Sequence, residues 1–202
     1  MLYPQANPFR QVIDLSGFWQ LRFDPQDQGQ QAGWSHGFSG GHPVAVPASW
    51  NDQFAEWRDY LDQTWYQTGF DLPWGWDQAR QQIGLRFGSA NYLAEVWLNG
   101  VPLGEHEGGH LPFAFDITPY VRPQDNVLVV RVEGVLAPDR VPPGNLPPDP
   151  RHMFIDQHQN FPPTSFDFFP YCGLHRPVLL TTTPVQAITD LTVTTELPGR
   201  CL

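Results

Sequence analysis

The sequence predicts an all-β chain folded as a jelly-roll β-sandwich, and three observations carry that expectation. First, 22 Pro and 18 Gly are spread through the 202 residues, so no segment offers an amphipathic helix of useful length. Second, short runs of alternating apolar and polar residues recur along the chain, each bounded by turn residues. Third, Asn99-Gly100 joins two such runs. A type I′ hairpin turn needs positive φ at both central residues, and Asn and Gly accept it at low cost.

Taken in order, Ile13-Asp14-Leu15 precedes a Ser16-Gly17 turn. Phe18 to Phe23 then alternates, with Phe18, Gln20 and Arg22 on one face and Trp19, Leu21 and Phe23 on the other. Asp24 to Gly41 is polar and glycine-rich, a loop or short helical excursion for which Trp34 and Phe38 are candidate anchors. Val44 to Trp50 reads as a strand broken by Pro47, which suits an edge or a strand end. Further strands are predicted at Thr64–Leu72, Ile83–Phe87, Tyr92–Leu98, Val101–Leu103, Leu111–Phe115, Asn126–Val132 and Arg176–Thr182. At least eight short strands with irregular connections make a sandwich rather than a bundle or a βαβ fold.

No period survives between Pro138 and Tyr171, and six prolines fall between Pro138 and Pro150. A long unpatterned insertion in a compact sandwich lines a site or packs on a neighbour. Its second part carries Met153, Phe154, Ile155 and Phe161, too apolar for a solvated linker. After Pro184 an alternating pattern restarts at Ala187–Thr195 and stops within a few residues, as the first strand of a following unit would.

Composition excludes several functions. The net charge of −10, the absence of Lys and the scattering of eleven Arg leave no basic patch to neutralise phosphates, so no nucleic-acid partner is expected. The same acidity disfavours an anionic membrane surface, and the longest apolar runs are too short to span a bilayer. Cys172 and Cys201 make neither a disulfide framework nor a metal spacing. Residues 1–17 show no apolar core of signal-peptide length, so a cytoplasmic protein is the expectation.

His106-Glu107-Gly108-Gly109-His110 matches the zinc-protease string H-E-x-x-H, which works only on a helix that puts both imidazoles on one face. Two central glycines and strand-like flanks make it a turn instead, and no metal or other cofactor is predicted. No nucleophile elbow, phosphate loop or dinucleotide fingerprint is present, and none of the 21 acids declares itself half of a catalytic pair; Asp156 and Asp167 merely flank one loop. Asp167 is the candidate of interest. It lies among Phe166, Phe168, Phe169 and Tyr171, just before a strand. An aromatic ring can stack on the apolar face of a sugar while a carboxylate accepts from its hydroxyls. The alternative is a turn-capping Asp with core aromatics around it.

The chain resembles the N-terminal sugar-binding domain of family 2 glycoside hydrolases, and within them the β-glucuronidases. The likeness is carried by Ile13-Asp14-Leu15-Ser16-Gly17-Phe18-Trp19, Val46-Pro47-Ala48-Ser49-Trp50-Asn51-Asp52, Trp65-Tyr66-Gln67 and Arg86-Phe87-Gly88-Ser89-Ala90. It continues through Ala94 to Gly100, Glu105 to Phe113, and Asp167-Phe168-Phe169 to Gly173-Leu174-His175-Arg176-Pro177-Val178. The resemblance implies a sugar-binding jelly roll of the galactose-binding-like kind over residues 1–184 and the first strand of an immunoglobulin-like domain over 185–202. It implies that a retaining mechanism and both catalytic glutamates belong to a barrel absent from this chain, which is expected to be inactive alone. It implies that Asp167 binds hydroxyls of a β-glycoside, a glucuronide before a galactoside. A homo-oligomer is compatible with the family. The chain departs from the pattern at Pro170, at Cys172 and in the run from Pro142 to Pro150. The other readings are an autonomous carbohydrate-binding module and the same domain of a β-galactosidase.

Overall fold

The computed structural model describes residues 3–135, 137–141, 143, 171–188 and 191–195. They form ten strands: β1 Val12–Asp14, β2 Gly17–Phe23, β3 His42–Val46, β4 Gln63–Phe70, β5 Gln81–Phe87, β6 Leu93–Leu98, β7 Val101–Glu107, β8 Phe113–Asp116, β9 Asn126–Glu133 and β10 Val178–Pro184. A single turn of helix, α1, covers Trp50–Gln53. The strands make two antiparallel sheets, ordered β1-β10-β5-β8 and β3-β2-β4-β9-β6-β7. This is the predicted all-β sandwich.

Alternation decides which side chains enter the core. Trp19 and Leu21 of β2, Ile83, Leu85 and Phe87 of β5, Ala94, Val96 and Leu98 of β6, and Val178 and Leu180 of β10 meet between the sheets, together with Leu128, Val130 and Val132 of β9. Full burial of one such large side chain is worth about 1.5–3 kcal/mol. The Asn99-Gly100 turn joins β6 to β7 with φ of 54° and 81°, as a type I′ hairpin requires.

The six-stranded sheet carries a second apolar cluster on its outer face. Trp65, Trp97 and Val129 lie there beneath Trp34 and Phe38, so the two predicted anchors of residues 24–41 do anchor it. Asp24 ties that excursion down: its Oδ1 accepts from the Gln28 amide at 2.8 Å, and its Oδ2 from the Gly29 amide at 2.8 Å and Trp65 Nε1 at 3.0 Å.

Most strand ends fall within two residues of the sequence reading, and three differ by more. The strand predicted through Trp50 ends at Val46, because the Ser49 hydroxyl accepts from the Asn51 amide and starts α1 there. The strand after the hairpin runs on to Glu107, taking His106 with it. The described residues between Val185 and Thr195 form no strand, and Ile188, Leu191 and Val193 stand in solvent. The alternation is present there, but no neighbouring strand among the described residues offers it a ladder.

The six-stranded sheet is bordered by β3 and β7. Along β7 lie Pro102, Gly104, Glu105 and Glu107, and its register against β6 shifts between Val96 and Trp97.

Arg86 of β5 points to the outer face of the four-stranded sheet, opposite the core-facing Leu85 and Phe87. It is nonetheless buried, with the Tyr3 ring 5.4 Å from its guanidinium carbon, and its Nε and Nη1 meet no acceptor among the described residues. Burial lowers its pKa from the ordinary arginine value. A buried donor left unpaired costs about 1–3 kcal/mol. Arg86→Met keeps the aliphatic stem and removes those donors, so it is expected to raise the stability of the chain by about 1 kcal/mol or more. Urea denaturation of both proteins measures this, and a lower midpoint for the variant contradicts it.

Candidate functional site

The chain leaves the end of β9 through Gly134 and returns through Cys172, and these two residues touch. A Cβ on Gly134 would stand 2.5 Å from Cys172 Sγ and 2.9 Å from the Leu61 carbonyl, so only glycine lets the strands close. Asn51 holds the returning segment from below. Its Oδ1 accepts from the Cys172 amide at 3.0 Å, while its Nδ2 donates to the Arg58 and Tyr60 carbonyls at 2.7 and 3.0 Å.

Asn91 holds the same segment from the side. Its backbone exchanges two hydrogen bonds of 3.0 Å with Gly173, and its Nδ2 donates to the Tyr171 carbonyl at 2.6 Å. Its Oδ1 is buried without a donor, and lies 2.5 Å from where a Cβ on Gly109 would sit. Gly173 has φ of 101° and passes under the Tyr66 hydroxyl and the Trp50 ring, a place and a conformation that suit only glycine. On the outgoing side, Arg140 donates to the Val135 carbonyl at 2.6 Å and to Glu133 at 2.8 Å, with Glu107 at 3.8 Å. The root of the excursion is therefore fixed from every side.

A histidine pair stands beside this root. His175 Nδ1 is 3.3 Å from the Gly173 carbonyl and Nε2 is 3.0 Å from the Ser89 hydroxyl. The carbonyl can only accept, so Nδ1 carries the proton and Nε2 accepts from Ser89. The His110 ring lies 5.9 Å away, edge-on, and Arg176 donates to the His110 carbonyl at 3.0 Å. Burial lowers the pKa of His175, and His110 and Arg176 lower it further against an opposing contribution from the Gly173 carbonyl. Burial, then Arg176, lowers that of His110.

Asp167, Asp156 and the aromatics Phe166, Phe168 and Phe169 lie outside the described residues, as does Cys201. Of the predicted aromatic wall, Tyr171 is described and stands half-exposed at the root. The H-E-x-x-H string is split: His106 stacks on Phe113 at 4.3 Å within β7, Gly108 and Gly109 make the turn, and His110 joins His175. Among the described residues no three His, Cys, Asp or Glu side chains gather as a metal site would require. Cys172 is a fully buried thiol whose pKa burial raises. Sequence reasoning missed Asn51 and Asn91 as the clamps of the root. Asn91 stands between Ala90 and Tyr92, an Asn in an apolar setting that could have been singled out, whereas Asn51, between Trp50 and Asp52, carries no such signal.

The family model described as "Glycosyl hydrolases family 2, sugar binding domain" matches residues 12–184. A β-glucuronidase of Paenibacillus borealis is 38% identical over 206 residues, covering 99% of this chain and 34% of that protein. A β-glucuronidase of Canis lupus familiaris is 41% identical over 214 residues, covering 96% of this chain and 32% of that one. The solved structure of Ruminococcus gnavus β-glucuronidase superposes with a TM-score of 0.84 at 34% identity, over 98% of this chain and 32% of that chain. The chain thus spans about a third of the length of the relatives it matches.

The lowered histidine pKa values set a pH dependence. The folded state holds fewer protons on His175 than the unfolded state, so its contribution is complete above the unfolded value of about 6.5 and is lost as pH falls through the lower folded value. The melting temperature of the chain is expected to fall between about pH 7 and about pH 5.5, and His175→Gln, which stays neutral, is expected to lose less over the same interval. Parallel melting curves at the two pH values decide it; equal losses in both proteins remove His175 as the source.

Proposed function

The chain belongs to the sugar-binding domain family of the family 2 glycosyl hydrolases, and from that membership we propose that it is the non-catalytic N-terminal domain of a retaining β-glucuronidase-like enzyme. Its part is to hold a substrate-contacting loop against a catalytic barrel contributed by the remainder of a longer polypeptide. The observation that carries this reading is the fixed root at Gly134, Cys172 and Gly173. Family motif residues Gly173, Leu174, His175 and Arg176 all lie at that root or lead directly from it, and the loop they close is the one that bears Asp167.

A loop that must reach another domain needs a firm foot, because a displaced contact to substrate loses most of its energy. On this reading Asp167 accepts hydrogen bonds from two neighbouring sugar hydroxyls, with Phe166, Phe168 and Phe169 keeping water from competing. Retaining hydrolysis uses an acid–base carboxyl and a nucleophilic carboxylate about 5–5.5 Å apart, and both come from the barrel. The glucuronide preference rests on the names of the relatives.

In the longer enzyme, Asp167→Ala is expected to lower kcat/KM on a nitrophenyl β-glucuronide by about ten- to a hundredfold, since a charged acceptor contributes about 1.5–3 kcal/mol. Its melting temperature is expected to stay near that of the unaltered enzyme. A turn-capping Asp167 gives the inverse pattern, a lower melting temperature with kcat/KM retained. The 202-residue chain alone is expected to release no nitrophenol; turnover by purified chain, absent from a mock preparation, overturns the non-catalytic assignment.

A further inference from the structure

We propose that the end of the sandwich opposite the Asp167 loop carries a second carbohydrate contact, shaped for a neutral hexose ring and built from Trp74 with the carboxylates of Asp71 and Asp125. Strands β4 and β9 pair residue for residue from Gln63–Glu133, beside the root of the loop, to Phe70–Asn126. At about 3.4 Å per residue this places the second site roughly 24 Å from that root.

Trp74 is fully exposed, with a relative accessibility of 101%. A single exposed apolar side chain needs no explanation. Here, however, the indole stands on a tightly fixed support. The Trp76 amide donates to the Pro73 carbonyl at 3.1 Å across Gly75, whose φ is 91°. Trp76 Nε1 donates to Gln11 Oε1 at 2.5 Å, the Leu72 amide to the Pro123 carbonyl at 3.0 Å, and Gln78 Nε2 to the Val121 carbonyl at 2.6 Å. The turn presents Trp74 to solvent rather than leaving it there for want of order.

Two hollows adjoin this turn. One, of about 340 Å³, is lined by Leu72, Pro73, Trp74, Trp76, Pro123 and Gln124 among others. The other, of about 470 Å³, is lined by Asp71 and Asp125 with Gly69, Phe70, Asn126 and Val127. They share a seam, since Asp71 is followed by Leu72 and Asp125 preceded by Gln124, and the Asp125 amide donates to Asp71 Oδ1 at 2.8 Å. Trp74 borders the first hollow and Asp71 and Asp125 the second, and an indole face and carboxylate acceptors are the two kinds of group that a pyranose meets with its C–H face and its rim of hydroxyl donors. The local charge selects among sugars. Asp71, Asp77 and Asp125 outnumber Arg80 and Arg122, and Arg80 is already 3.5 Å from Asp77. A neutral ring is accepted, and a uronate or a phosphate is repelled.

The test is a titration of the ¹⁵N-labelled chain with cellobiose and, separately, with methyl β-D-glucuronide. The indole N–H signal of Trp74 is assigned by its loss in Trp74→Ala. Saturable movement of that signal and of the Leu72 and Gln124 amides at millimolar cellobiose is the expected result. Trp74→Ala is expected to abolish the amide shifts without lowering the melting temperature, and Asp125→Asn to weaken binding by about threefold or more. The glucuronide is expected to bind more weakly than cellobiose by a similar factor. No saturable movement at Trp74, amide shifts that persist in Trp74→Ala, or a glucuronide that binds as well as cellobiose overturns the proposal. So does self-association that Trp74→Ala abolishes, which assigns the face to a second copy of the chain. Asp167→Ala is expected to leave the titration unchanged, so failure here does not touch the reading of the Asp167 loop.

Discussion

The fold depends on one closure, the seating of Cys172 and Gly173 between Asn51, Asn91 and Gly134. Strand β10 lies inside the four-stranded sheet, paired with β1 on one side and β5 on the other. It is the last strand in the chain among the described residues and follows directly on that closure. If the returning chain were not captured there, β1 would lose its only partner in the sheet and β5 one of its two. The core would then lose Val178 and Leu180. The interactions that fix the candidate site are therefore also those that complete the sandwich. Two glycines permit the closure, one by lacking a Cβ and the other by its conformation as well.

This coupling fixes both ends of the segment between Gly134 and Cys172 by the same packing that stabilises the domain. A side-chain amide at Asn51 and another at Asn91 satisfy backbone groups that would otherwise be buried unpaired. Asn51 also donates to the Arg58 and Tyr60 carbonyls, so it is not easily replaced by an apolar residue of similar size.

Much of the sheet was legible in the sequence because burial follows a period of two. Trp19 and Leu21 against Gln20, Ile83 and Leu85 against Gly84, and Ala94 and Val96 against Glu95 all point as their alternation required. Asn99-Gly100 announced its hairpin through the φ values it tolerates. What escaped were contacts between residues far apart in sequence. Nothing local to Asn51 says that it will receive the amide of Cys172, 121 positions later. The strand assigned through Trp50 failed for a local reason, since the cap at Ser49 outcompeted continued extension. The alternation after Pro184 shows the opposite limit, because a pattern can specify a strand only where a neighbour pairs with it.

The border at β7 bears on how the protein behaves when concentrated. An open strand edge is a template on which another chain can build a sheet. Along β7, Pro102 withholds an amide, Gly104 at φ 141° and the register shift interrupt the ladder, and Glu105 and Glu107 would bring like charges together in a two-fold pairing centred near His106. Together with a net charge of −10, these features make stacking of copies into fibrils costly at this border, so the sandwich can carry ten strands without inviting an eleventh from a neighbour.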